Sequence, residues 1–139
     1  MPSRQLLLDT CAAIWVAEAA PMTQASIDAL SDATYAKEPI AVSPITAWER
    51  GLLVSLGRLG STLEPKAWFN RLVEREEIVL AQMTPDILTD ASFLPGPIHR
   101  DPADRIIIAT ARAFGMTIVT RDRLILDYAA RGHVNALEC

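Results

Sequence analysis

The sequence predicts an α/β protein, a parallel sheet covered by helices on both faces. Three observations lead there. Short apolar runs of strand character alternate with helix-period segments along the whole chain. Alternation of this kind makes successive strands parallel, because each helix carries the chain back across the sheet. Half of the 139 residues are hydrophobic, enough to bury a core without staples.

A first buried strand is expected over 5–8, stopping at Asp9-Thr10, with Thr10 as the cap of a helix through Ile14 and Trp15. A second helix is read over 23–33 and a short strand over 40–42. Ser43-Pro44 starts the next helix, Ser as N-cap and Pro at the first helical position, running to about Ser55. Gly57 and Gly60 punctuate the segment beyond that helix; then come a helix over 65–75, a strand over 77–80, a helix over 85–93 and a loop at Leu94-Pro95-Gly96-Pro97. Asp101-Pro102 opens the most apolar helix, which ends at Gly115. A strand over 117–119, a helix over 121–130 capped by Thr120, and a last strand over 133–137 complete the series. No repeat or linker interrupts it, so 1–139 reads as a single domain.

Composition narrows the function classes. The two cysteines, Cys11 and Cys139, have neither disulfide-framework nor metal-ligand spacing, which points to a reducing, cytoplasmic setting. The opening residues are not expected to be a signal peptide, and no apolar run approaches the roughly 18 residues of a membrane helix. The net charge of −4 lacks the basic footprint usual in nucleic-acid binders. It leaves room for a nuclease whose carboxylates hold a metal that meets the phosphate.

Ligands of such sheets bind beyond the carboxyl ends of the strands. Asp9 directly follows the first strand, and Asp122 lies in the first turn after the strand over 117–119. Asp104 lies in the first turn of the helix that feeds that strand, and a helix antiparallel to its strand brings its first turn to the same edge. At about 100° per residue, Trp48, Glu49, Leu52 and Leu56 fall within about 60° of Ile45. Glu49 is therefore expected on the apolar face, where a carboxylate is costly unless paired or bound to a cation. Four carboxylates at one edge repel, by about 4 kcal/mol per pair at 4 Å and an effective dielectric of 20. A divalent cation removes that conflict, and oxygen-only ligands suit Mg²⁺ or Mn²⁺ better than Zn²⁺.

Each acid also has a structural reading. Asp101 is an N-cap, Asp104 a capping-box residue, Asp122 a helix-dipole partner and Asp9 a strand end. Glu49 could be satisfied by Arg105 or Arg121. Arg105 and Arg112 read as the solvent side of their helix, His99 and His133 as structural, and Trp15, Trp48 and Trp68 as core or interface. His99-Arg100-Asp101 is not a kinase catalytic loop, because Ile106 stands where its asparagine belongs.

The chain resembles the PIN-domain family. Leu-Leu-Leu-Asp-Thr-Cys-Ala-Ala-Ile-Trp over 6–15 resembles the opening of PIN domains, and Ser-Pro-Ile-Thr-Ala-Trp-Glu over 43–49 their second acidic motif. Asp-Pro-Ala-Asp-Arg-Ile-Ile-Ile-Ala-Thr-Ala over 101–111 and Ile-Val-Thr-Arg-Asp over 118–122 resemble the third and fourth. Together they resemble most specifically the VapC subgroup of toxin–antitoxin systems. The resemblance implies a three-layer α/β/α sandwich with a central, mainly parallel sheet, and cleavage of RNA dependent on Mg²⁺ or Mn²⁺. It implies Asp9 and Asp104 as the main metal ligands, Glu49 completing the coordination or orienting the attacking water, and Asp122 holding a second metal or a metal-bound water. Thr10 and Thr120 would be supporting hydroxyls. A homodimer and a small antitoxin laid over the acidic groove are further implications. Two rivals stand beside this reading. A metal-dependent phosphatase would want a second acid two residues after Asp9, where Cys11 stands. A catalytically inactive PIN-like module would use the acids as caps.

Overall fold

The computed structural model describes residues 4–60 and 63–139. Its strands are β1 (Leu6–Leu8), β2 (Ile40–Val42), β3 (Ile78–Leu80), β4 (Thr117–Thr120) and β5 (Asn135–Glu138). They form one sheet in the order β3-β2-β1-β4-β5, and every neighbouring pair is parallel. The helices are α1 (Thr10–Glu18), α2 (Gln24–Tyr35), α3 (Ile45–Ser55), α4 (Pro65–Val73), α5 (Pro85–Ser92), α6 (Pro102–Phe114) and α7 (Arg123–Ala130). No helix among the described residues is long and apolar enough to cross a membrane.

The three inner strands are apolar because both of their faces are covered. Leu6 and Leu8 face a core with Ala12 and Ala13 of α1, Ala33 of α2, and Trp68 and Leu72 of α4. Leu7, between them, faces the opposite way, onto Ile107, Ile108 and Ala111 of α6 and Ile125 and Tyr128 of α7. The period-two alternation of side chains thus feeds two cores from one run of leucines. Helix α5 lies outside α6 and packs Ile87 and Ala91 on Ala109. The result is the expected three-layer α/β/α arrangement.

Local chemistry sets the helix ends, and several differ from the expectation. Asp9, not Thr10, caps α1: its side chain accepts from the Ala12 N–H at 2.8 Å, and Thr10 is the first helical residue. Asp122, not Thr120, caps α7, accepting from the N–H groups of Leu124 and Ile125. Thr120 is instead the last residue of β4. The carboxylate wins in both places because it is the stronger acceptor for helix N–H groups. Helix α3 begins at Ile45, one residue later than expected, with Ser43 Oγ accepting from the Ile45 N–H. Asp101 caps α6 as expected, with Pro102 next. Gly115 ends α6 in the left-handed region (φ 67°), a conformation glycine adopts at least cost.

The buried face of α3 is rotated from the expectation, although Ile45 packs on the core and Glu49 lines the crevice as expected. Thr46 and Arg50 are its buried residues, whereas Trp48, Leu52 and Leu56 are 52%, 39% and 56% exposed. Burial of Arg50 is supported by its stacking over the Trp68 ring, 4.5 Å from guanidinium carbon to centroid. An apolar stripe therefore faces outward on this helix.

Ile118, at the centre of β4, is fully buried in the α6–α7 core. Ile118→Ala is expected to cost about 2–5 kcal/mol. A urea melt would show this as a lower midpoint at unchanged slope; a loss under about 1 kcal/mol would contradict the packing described.

Candidate active site

The strand order reverses at β1. The chain moves outward from β1 to β2 and β3, then returns to the other side of β1 for β4 and β5. At such a reversal the loops leaving two adjacent strands diverge and open a crevice beyond their carboxyl ends. Asp9 leaves β1 at this point, held to β4 by its N–H to the Val119 carbonyl at 3.2 Å. Asp122 leaves β4. A cavity of about 350 Å³ occupies the crevice, and Asp9, Glu49, Asp104 and Asp122 all line it. Thr10, Cys11, Trp15, Asp101 and Arg121 complete its wall.

Each carboxylate is held by a different local donor. Asp9, 5% exposed, accepts from Ala12 N–H through Oδ1 and from the Thr120 hydroxyl through Oδ2. The same Thr120 oxygen accepts from the Asp122 N–H at 3.0 Å, which couples the two acids through one buried hydroxyl. Glu49 accepts from the Thr10 hydroxyl. Thr10 has spent its proton there, so the Thr46 hydroxyl, 3.3 Å away, donates to Thr10. Asp104 lies 2.7 Å from His99 Nε2.

The electrostatics report the crowding. Burial, above all, pushes the Glu49 carboxyl up to about 7; Asp104, Asp101 and Asp9 add to the rise and the Thr10 bond opposes it. Burial likewise pushes Asp104 up to about 6, helped by Asp101 and Asp122 and opposed by the bond from His99. The Asp9 carboxyl is raised by burial and by Asp122, against the bonds from Thr120 and Ala12. Cys11, on the solvent-reaching rim, senses the whole set: partial burial and then Asp9, Glu49, Asp104 and Asp122 push its thiol up to about 11.

Sequence comparison shows the family of the chain. The PIN-domain family model matches residues 6–131. The chain belongs to the PIN-domain family. It is 33% identical over 124 residues to Ribonuclease VapC22 of Mycobacterium tuberculosis, across 88% of this chain and 91% of that one. Among solved structures, the fold is similar to VapBC2 from Rickettsia felis, bound to a DNA fragment from their promoter, with a TM-score of 0.65 at 15% identity over 96% of this chain and 97% of that one. FitAcB from Neisseria gonorrhoeae matches with a TM-score of 0.56 at 22% identity, over 96% of each chain.

In this PIN domain the four acids and two threonines singled out from sequence come together, but their partners differ from expectation. Glu49 is not paired with Arg105 or Arg121. Arg105 donates to the carbonyls of Ala91 and His99, so it is not simply the solvent side of α6. Arg121 donates to the Cys139 and Pro21 carbonyls and stacks over Trp15 at 3.9 Å. His99, expected to be a lone structural histidine, meets Asp104. The available signal was its place five residues before Asp104, just ahead of the Asp101 cap.

A carboxyl whose pKa is higher in the folded state than in the unfolded chain stabilises the fold while it is protonated in both states. That contribution is lost as pH rises through the folded value. Asp9, Glu49 and Asp104 all have this sign, so the EDTA-treated PIN domain is expected to lose thermal stability from about pH 5 to about pH 8. Mn²⁺ added at the upper end is expected to restore it, since a ligand that binds only the folded state raises its melting temperature. Melting curves across that range, with and without Mn²⁺, check both points. A Tm that climbs with pH in EDTA would remove the charge-crowding account.

Proposed function

We propose that this PIN domain is a divalent-metal-dependent endoribonuclease that hydrolyses RNA phosphodiester bonds, acting as the toxin of a toxin–antitoxin pair. One observation carries the reading: carboxylates from four separate elements, Asp9, Glu49, Asp104 and Asp122, share one crevice at the strand-order reversal. Family membership and the relative named Ribonuclease VapC22 support it.

The donor set fits a hard divalent cation, Mg²⁺ or Mn²⁺. Every candidate ligand offers oxygen, and burial first, with neighbouring acids second, raises the pKa of three of them, a cost that a bound cation would offset. Among the described residues, no three His, Cys, Asp or Glu side chains stand close enough to hold one ion without rotating. A cation in the crevice would draw these carboxylates together by side-chain rotation, and its charge would offset the cost of burying them. Asp9 and Asp104 would be its main ligands, with Glu49 and Asp122 completing the site. Bound there, such an ion lowers the pKa of water and offsets charge on the phosphate.

The protein's own part in hydrolysis is orientation. Glu49, which lines the crevice and has its carboxylate held by the Thr10 hydroxyl, is placed to complete the coordination or to orient the attacking water. The water oxygen would bond to phosphorus as it gives up a proton, the bond to the leaving ribose oxygen would break, and that oxygen would take a proton from solvent water. Thr10 orients Glu49, and Thr120 holds Asp9 against Asp122. A phosphatase reading lacks its second acid: Cys11 occupies the position, and its thiol stays protonated at neutral pH.

An antitoxin and a second copy of the chain are the proposed protein partners, and RNA the substrate, inside the cytoplasm. The outward stripe of Trp48, Leu52 and Leu56 on α3 supports a protein partner, since apolar side chains grouped at the surface are typical of interaction sites.

Incubation of the partner-free protein with total RNA and Mn²⁺ is expected to give discrete fragments. EDTA is expected to abolish them, and Asp9→Asn or Asp104→Asn to reduce the rate by about two orders of magnitude or more. Cleavage undiminished in both variants would refute the site assignment. Folded protein that neither cleaves RNA nor binds Mn²⁺ in calorimetry would favour a PIN-like binding module.

A further inference from the structure

The loop between α5 and α6 has no regular structure, yet its backbone is tied down at several points. Tyr128 Oη donates to the Pro95 carbonyl at 2.5 Å, Arg131 to Pro97 at 2.9 Å, and Arg105 to His99 at 3.2 Å. The other arm of Arg105 holds the Ala91 carbonyl at 2.8 Å, at the end of α5. Gly96 takes φ +70°, and a Cβ there would stand 3.0 Å from His133 Nε2, so the loop takes a path only glycine fits. These ties from α6 and α7 bring one side chain, from outside the acidic crevice, against one of its carboxylates. His99 Nε2 lies 2.7 Å from Asp104 Oδ2, with both side chains less than one-fifth exposed.

Burial of the ring carries a cost. His99 Nδ1 is buried and makes no hydrogen bond among the described residues, a penalty of about 1–3 kcal/mol for an unpaired buried polar atom. Asp104 Oδ2 is the carboxylate oxygen that His99 engages, and no hydrogen bond to Oδ1 is made among the described residues. An ionised carboxylate only accepts, so Nε2 carries the hydrogen and donates.

We propose that His99 is a positioning residue of the acidic site: it fixes Asp104 through one oxygen and so prepares the carboxylate to bind a divalent cation. The proposal rests on the reading of Asp104 as a metal ligand. Outer partners that orient a ligating group typically change metal affinity 10–100-fold when removed.

The test is calorimetric titration of the full chain with Mn²⁺ alone, for the parent and for His99→Ala, His99→Asn and His99→Gln. A glutamine amide nitrogen can occupy the place of Nε2, whereas an asparagine amide reaches only the place of Nδ1. Ala and Asn are expected to weaken Mn²⁺ binding about 10–100-fold, and Gln to stay near the parent. Thermal melts in EDTA accompany each variant, and if Ala fails to fold, the Asn–Gln pair decides. Parent-like affinity in Ala or Asn would overturn the proposal, as would a Gln variant as weak as Ala. Cleavage of total RNA is scored separately. The expected affinity pattern with RNA left intact would sink the nuclease reading and keep the role of His99. A parent that binds no Mn²⁺ would overturn both.

Discussion

The concentration of carboxylates at one sheet edge is the constraint around which the rest of the molecule is arranged. Asp9, Glu49, Asp104 and Asp122 line one cavity with Asp101, and the raised pKa values of three of them show that hydrogen bonding does not fully offset burial and mutual repulsion. Burying carboxylates without full compensation is costly, and a small domain has little net stability to spare. A sequence that keeps such a cluster must have a way to hold it.

The architecture supplies one. In a parallel sheet with crossover helices, helices that leave a strand, such as α1 and α7, and a helix that runs antiparallel into one, such as α6, start at the carboxyl edge. Their positive ends therefore meet where the acids are. Asp9, Asp101 and Asp122 are the N-caps of α1, α6 and α7, and Asp104 lies in the first turn of α6. The same side chains close helix ends and line the cavity, so capping and site are one set of contacts. The structural and functional readings of these acids are complementary rather than exclusive.

Hydroxyls and the histidine give the cluster its geometry. Thr120 joins the acid after β1 to the acid after β4, across strands distant in sequence. Thr46 and Thr10 form a short chain ending on Glu49. Arg50 and Thr46 turn one face of α3 inward, which leaves Glu49 at the cavity and sends Trp48, Leu52 and Leu56 to the surface. Ile45 and Leu53 still pack on the two cores, so the orientation of α3 combines hydrophobic contacts with the burial of Arg50 against Trp68 and the placing of Glu49 at the site.

By itself the sequence determined the α/β class, the strand and helix order, and the edge to which Asp9, Asp104 and Asp122 belong. These properties come from local period, turn residues and the parallel alternation of elements, all of them short-range. Only the tertiary structure decided the strand order, with β1 between β2 and β4, because which strands pair depends on contacts between segments far apart in the chain. It decided that Asp9 and Asp122 outcompete their neighbouring threonines as caps, that α3 turns its polar face inward, and that His99 reaches Asp104. Each is a choice between groups equally available to the local chain, settled by what the folded surroundings bring within hydrogen-bonding distance.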